Sequence, residues 1–352
     1  MSRSILISLV FLSLSASAAF CADGAPGAAS RTDGHWTASL QYENDTLESN
    51  DYYYTSGLRL NWVSPDLSGC EGSGTLRGFL ARMAGLCTFA SGEGVRKTSF
   101  ASLGQNIYTP WNTWTRVYIP GDRPFCGWLY AAAGFATSTE KWMNIVELDA
   151  GVTGDWSQAR QMQKLVHSFH LDKQHPAWKY QIGNEVQANL AFEHRRRVVK
   201  FGDSIGAAAD LFASAGGSVG TLFIHERVGA TARLGWNLPA DFSGRPIQAA
   251  GDCYAPASSD DPRLGDSGGW SLVFFCDYGI KAVQRDGTLD GNYSRESVSV
   301  GKLPFVQDFT VGLYAIAGSW TIAIAQAERS PEIKNQREGW QTFHSITIGY
   351  TH

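Results

Sequence analysis

The chain reads as an all-β protein, a transmembrane antiparallel β-barrel of about 12 strands with a short helix in an outer loop. Three observations carry that reading. The sequence opens on a secretory leader. No later apolar run reaches the 18 or so residues a membrane helix needs. Short segments that alternate polar and apolar residues recur as far as the C-terminus. Alternation at every second residue gives a strand one polar and one apolar face, as a wall between lipid and a polar lumen requires.

The leader comprises Arg3, the apolar stretch Ile5 to Leu14 and the small-residue pattern Ala16-Ser17-Ala18. That order of charge, apolar core and small residues marks export. Cleavage is placed near Ala18 or Ala19, with Ala22 as an alternative. Phe20 directly precedes Cys21, which argues against a lipoprotein signal. The organisation is therefore a signal peptide at 1–18, an N-terminal segment at 19–34 and one barrel domain at 35–352.

Composition agrees without deciding. Gly 38, Trp 12, Tyr 13 and Phe 18 suit barrel turns and interfacial aromatic girdles, although a soluble β-sandwich shares this bias. Loss of Arg3 takes the formal net charge from −4 to −5, too mild to suggest a nucleic-acid partner. A monomer is expected. Cys70 and Cys87 bracket a Gly-rich segment and are candidates for a loop disulfide in an oxidising compartment. Cys126, Cys253 and Cys276 lack metal-type spacing.

The first strand spans His35 to Asp45. Trp36, Ala38, Leu40 and Tyr42 share one face, and Thr37, Ser39, Gln41, Glu43 and Asp45 the other. In the second, Tyr54, Leu58, Leu60 and Trp62 oppose Tyr53, Thr55, Gly57, Arg59 and Asn61. Asp45 and Thr55 are thus expected on the lumen face. Segment 64–97 is a long connection. Further strands are expected at 98–108, 125–136, 144–153, 183–198, 208–218, 221–236, 268–283, 293–303, 308–326 and 340–351. In the last, Ile346, Ile348 and Tyr350 face outward.

Residues 155–173 break the pattern. They are rich in helix formers, with Asp155 or Ser157 as cap and Met162, Leu165, Val166 and Phe169 as an apolar stripe. Gln163 and His167 lie four apart and share a face. Pro176 ends the segment.

Asn44, Asp45, Thr55 and His167 form the candidate site. With a periplasmic N-terminus, strand one ends, strand two begins and the helix lies on one outer side. A carboxylate with neighbouring carbonyl and amide oxygens suits a hard cation such as Ca²⁺. A neutral imidazole suits proton removal from water. Gly57 would let substrate approach the backbone. Arg116 and Arg123 are candidate phosphate contacts. Together these parts describe a metal-assisted ester hydrolase. The plainer readings are a turn residue for Asp45, a solvated histidine, a surface Gln163 and loop arginines.

Asn44-Asp45, Tyr54-Thr55-Ser56-Gly57, Gln105-Asn106-Ile107-Tyr108-Thr109-Pro110 and Gly121-Asp122-Arg123-Pro124-Phe125 resemble the outer-membrane lipid A 3′-O-deacylase family (LpxR-like). So do Glu147-Leu148-Asp149-Ala150-Gly151-Val152-Thr153-Gly154, His167 and Pro176-Ala177-Trp178, in order. The resemblance implies a twelve-stranded outer-membrane barrel that removes the 3′-acyloxyacyl group of lipid A with Ca²⁺. It implies that His167 is the general base and that Asp45 helps hold Ca²⁺. It implies that Asn44 and Thr55 order the metal site and oxyanion region, with Gln163 in support. Lys173 and His175 depart from the family pattern, and the 64–97 connection is longer.

Other classes compete with this reading. An outer-membrane phospholipase would need a Ser–His pair, and the adjacent His344-Ser345 points to opposite faces. A narrow porin or binding barrel, and a soluble secreted β-protein, are the remaining alternatives.

Overall fold

The computed structural model describes residues 34–352 except 46–51, 91, 93, 114–116, 170–177, 203–204, 252–254, 258–260, 265–268 and 338, with only the backbone of 166–169 and 262. The expected leader, Cys253, Arg116, Lys173 and His175 lie outside the described residues, as does the side chain of His167.

Twelve antiparallel strands close into a barrel. They are β1 (Thr37–Asn44), β2 (Tyr53–Val63), β3 (Arg96–Thr109), β4 (Cys126–Ser138), β5 (Trp142–Thr153) and β6 (Val186–Phe201). The circuit continues with β7 (Ala207–Gly220), β8 (Phe223–Trp236), β9 (Trp270–Asp286), β10 (Phe305–Ala317), β11 (Trp320–Arg329) and β12 (Gln341–Thr351). Each strand pairs with its sequence neighbours, and β12 closes on β1 from Thr37↔Thr351 to Asn44↔His344. Closure leaves no unpaired edge, the condition for strands in hydrocarbon.

Alternation places the faces as expected along β1. Thr37, Ser39, Gln41, Glu43 and Asp45 are buried, while Leu40 is exposed. The exposed set Leu103, Leu148, Leu190, Phe192, Ile322, Ile324, Ile346 and Ile348 forms the lipid-facing wall. Trp36, Tyr350 and Trp320 cluster at one end, and Trp236 stacks on Trp270 nearby, as in an interfacial girdle.

Two strand assignments change. Residues 308–326 are not one strand but β10 and β11, reversed at Gly318, whose φ of 56° permits the tight turn. Alternation continues straight through the turn, which hides it. Residues 293–303 form no strand, only a single bridge from Lys302 to Ile333. Their apolar members cover the barrel mouth instead: Val300 packs with Leu289, Ile333 and Tyr53.

Among the described residues, two helices of more than one turn lie in connections, and a single helical turn, Gly287–Asp290, follows β9. α1 (Leu76–Cys87) occupies the 64–97 segment, and Thr75 caps it by accepting from Gly78 N. α2 (Ala159–Phe169) follows a helical turn at Gly154–Ser157. The expected continuous helix breaks at Gln158, which is left-handed with φ 57°. Ser157 Oγ then accepts from Ala159 N at the start of α2. Cys70 and Cys87 are both free thiols, so the expected disulfide does not form.

A plug occupies part of the lumen. The β8–β9 connection folds inward, and Asp241, Phe242, Ser243, Arg245 and Ala250 are all buried. Arg195 donates to Phe242 O at 2.8 Å and to Ala250 O at 3.2 Å, and Arg59 donates to Gln248 O at 2.9 Å. Arg233 and Arg263 both hold Asp241. Arg59 pairs with Glu147 at 2.9 Å, and Arg227 with Asp277 at 2.7 Å. Such pairs offset their desolvation only when every charge is matched, so the plug and the wall depend on each other. A continuous open pore, the porin expectation, does not suit this interior.

Candidate active site at the barrel rim

Period two places Thr55 in the lumen, but β2 begins with a β-bulge. Tyr54 pairs with Tyr108, and the next pair is Ser56↔Ile107. The extra residue breaks the alternation locally. Tyr54, expected outside, turns inward, and its hydroxyl donates to Glu43 Oε2 at 2.8 Å. Thr55 turns instead to β3, where its hydroxyl meets that of Thr109 at 2.7 Å. Thr109 shares the outer face of β3 with Gln105 and Ile107, because Asn106 and Tyr108 line the lumen cavity. The Thr55–Thr109 pair therefore lies on the outer side of the wall.

Asn44 joins it there, and the Asp45 backbone reaches the same residue. Asn44 Nδ2 donates to Thr55 O at 3.1 Å, and Asp45 N reaches the same carbonyl at 3.4 Å. Asp45 Oδ2 accepts from Tyr52 N at 3.0 Å, fixing a carboxylate that is 1% exposed. Directly inside, Glu43 Oε1 accepts from Ile247 N at 2.7 Å, which ties the luminal plug to the strand that carries the site.

α2 packs on the same outer face. Ala159 and Met162 contact Ile107, Phe125 and Trp178. Gln105 Nε2 donates to Ser157 O at 2.6 Å. A Cβ at Gly127 would lie 2.1 Å from Ser157 Oγ and 2.3 Å from the Ala159 Cβ, so only glycine lets the helix sit this close to β4. The expected stripe shifts: Leu165 is exposed, whereas Gln163, plainly read as a surface residue, is buried. Its Oε1 accepts from Trp178 Nε1 at 2.7 Å. His167 lies on α2 by backbone.

Two expected substrate contacts have other work. The space beside Gly57 is filled by Tyr54, whose hydroxyl would stand 2.0 Å from an added Cβ, so it is not open to substrate. Arg123 is buried, paired with Glu332, bonded to Thr288 Oγ1 at 2.7 Å and stacked 4.6 Å over Tyr108. It anchors the 110–125 connection across the mouth, which occupies the guanidinium that a phosphate would need.

Sequence reasoning missed Glu185. This carboxylate accepts from Tyr293 N at 2.7 Å, Ser294 N at 2.8 Å and Asn292 Nδ2 at 3.2 Å, and from the Ser294 hydroxyl. Asn292 also bonds Gly183 through both its amide atoms, at 2.9 and 3.0 Å. The connection that carries α2 is thereby clasped to the β9–β10 connection. The Glu185-x-Gln187 start of β6 resembles any strand end, and only the partner loop reveals the clasp.

Asp45 and Asn44 supply hard oxygen donors. Among the described residues no group of three or more His, Cys, Asp or Glu side chains is arranged for a metal. Ser345 points inward to Gln41 Nε2 at 3.2 Å, so its neighbour His344 faces away and the Ser–His reading fails on geometry.

A family model described as outer membrane protein LpxR matches residues 6–352. The chain belongs to this family. It is an outer-membrane β-barrel protein. LpxR from Salmonella typhimurium superimposes with a TM-score of 0.69 at 16% identity, covering 89% of this chain and 99% of that one. The β-domain of the Bordetella autotransporter BrkA reaches 0.40 at 12% identity, covering 90% and 98%. The translocator domain of NalP from Neisseria meningitidis reaches 0.34 at 9%, covering 99% and 96%. The last two scores are too low to bear on this chain. No curated protein is a significant sequence match.

Proposed function

We propose that this protein is a lipid A deacylase, an ester hydrolase that removes the 3′-acyloxyacyl group with Ca²⁺ and His167 as general base. One observation supports this above the rest: Thr55 and Thr109 lie on the outer side of the wall, on the strand face that α2 covers. A lipid held in a leaflet presents its ester to the flank of a barrel, not to its lumen. Family membership agrees with the reading.

Asp45 and Asn44 would hold the cation through carboxylate and carboxamide oxygens, with water and the substrate completing its shell. When bound, Ca²⁺ would polarise the ester carbonyl and stabilise the oxyanion. His167 takes a proton from water as the new C–O bond forms, then returns it to the departing sugar oxygen. Thr55, fixed by Thr109, orders the polar groups around the carbonyl. Gln163, held by Trp178, positions the helix that carries the base. Products are a free acyloxyacyl acid and a 3′-hydroxyl.

Mass spectrometry of lipid A from cells expressing the protein tests the proposal. The expected result is loss of the 3′-acyloxyacyl mass, abolished by chelation. His167→Ala and Asp45→Ala should each lower the rate by about 10²–10⁴-fold while heat-modifiable gel migration still reports a folded barrel. Unchanged lipid A with correctly inserted wild type and calcium present would overturn it.

A further inference from the structure

We propose that α1 is a membrane-interface helix whose outer face is seated among glycerophospholipids at the end of the barrel opposite the Asp45 rim. Its position follows from register. On β3 the inward residues are even-numbered: Ser102 bonds the luminal Asn61 at 2.7 Å, and Asn106 and Tyr108 line the lumen cavity. Lys97 therefore points out of the barrel, and its Nζ reaches Glu71 just before α1. An added Cβ on Gly85 of α1 would lie 3.7 Å from that Nζ. On β4, Thr137 shares the outward face of Ala131 and Ala133, yet it is buried because its hydroxyl donates to Thr88 Oγ1 at 2.9 Å. On β5, Asn144 shares the outward face of Leu148, and its Nδ2 donates to Thr88 O at 3.0 Å. The helix and the Thr88 that follows it thus lie on the lipid-facing side of β3, β4 and β5.

Only small residues of α1 are fully buried, Gly78 against the Cys70–Ser73 segment. Gly78, Ala81 and Ala84 are the buried positions of α1. The large apolar residues face away from the protein: Leu76 is 56% exposed, Phe79 51%, Leu86 68% and the following Phe89 88%. In water this arrangement is inverted. It is continuous with the lipid-facing band of Leu103, Leu148, Leu190 and Phe192. Arg82, Lys141, Arg196 and Lys200 are exposed at the same end, which matches a phosphate-bearing headgroup layer. A second protein chain would demand no such agreement with the band or the basic collar.

That these lipids belong to the leaflet away from lipid A rests on the proposed function. The contact with lipid does not. The test replaces Phe79, Leu86 or, as control, the exposed loop residue Glu296 with photoreactive p-benzoylphenylalanine in the full chain. The protein is reconstituted in phosphatidylethanolamine–phosphatidylglycerol vesicles and irradiated. Mass spectrometry should find phospholipid adducts at positions 79 and 86 and none at 296. Adducts to a second copy of the chain, or no adduct at 79 and 86 in a barrel that migrates as folded, would overturn the proposal. Because the assay reads adducts and not hydrolysis, an inactive protein would still give them.

Discussion

The outer flank of β3 and β4 carries a helix at each end, and the two are built on opposite plans. α2 covers the rim with its polar interest turned inward: Gln163 is buried and bonded to Trp178, and the helix start rests on Gln105 and Gly127. α1 covers the other end with only small residues fully buried and with Leu76, Phe79 and Leu86 turned outward. One helix packs its inner side on the outer face of β3; the other presents an apolar surface outward. Both segments form helices of similar length, 12 and 11 residues. What differs is which side chains the wall accepts, so the wall, more than the helix, determines the role.

The largest break in that contrast should come at Gly127. Gly127→Ala drives a methyl into Ser157 and Ala159, and the helix must lift from β4. A displacement of about 1 Å costs on the order of 10²-fold in rate when it moves a catalytic group. Overpacking should also cost about 1–3 kcal/mol of stability. Hydrolysis rates on lipid A vesicles and thermal melts would measure both. Wild-type rates in a protein that melts lower would detach α2 from the chemistry.

At the opposite end, the expected effect is smaller. Phe79→Lys puts a charge on the outward face of α1, near the membrane surface. The cost there is about 0–1 kcal/mol, against about 2–4 kcal/mol at the bilayer midplane. Urea unfolding in vesicles would detect it, and the hydrolysis rate should not move. A rate that falls with Phe79→Lys would show the two ends to be coupled.

The wall was legible because period two operates wherever one face meets lipid and the other a polar lumen; Thr37 to Glu43 and Ser345 to Tyr350 are the clear cases. The legibility ended where local geometry changes the phase. One bulged residue moved Tyr54 inward and Thr55 outward, against every alternation argument. Gly318 reversed the chain inside an unbroken pattern. The plug was invisible because the burial of Asp241 and Arg245 depends on the wall residues Arg233 and Asp277, a pairing that no spacing in the sequence announces. Of the site, Asn44, Asp45 and Thr55 do meet. Gly57 and Arg123 are occupied by Tyr54 and Glu332, which no spacing in the sequence announces.

The finest distinction lies in the carboxylates that tie the two helices down. Glu71 holds the α1 connection through the ammonium of Lys97, a partly exposed ion pair. Glu185 holds the α2 connection through neutral donors. Partial burial pushes its carboxyl up, but the Ser294 hydroxyl, the Tyr293 and Ser294 amides and Asn292 together bring it down to about 2 from its ordinary 4.5. A depressed carboxyl contributes stability above the unfolded value, and that contribution fades as pH falls from about 4.5 towards about 2. Protection of the 292–294 amides, taken relative to intrinsic exchange at each pH, should therefore fall across that window in the wild type and stay flat in Glu185→Gln. Salt separates the two ties further, since it screens an exposed ion pair and leaves uncharged donors largely untouched. Raising ionic strength should loosen exchange near Glu71 while the 292–294 amides hold. Identical pH profiles for wild type and Glu185→Gln would mean that the clasp is held by Asn292 and Gly183 alone.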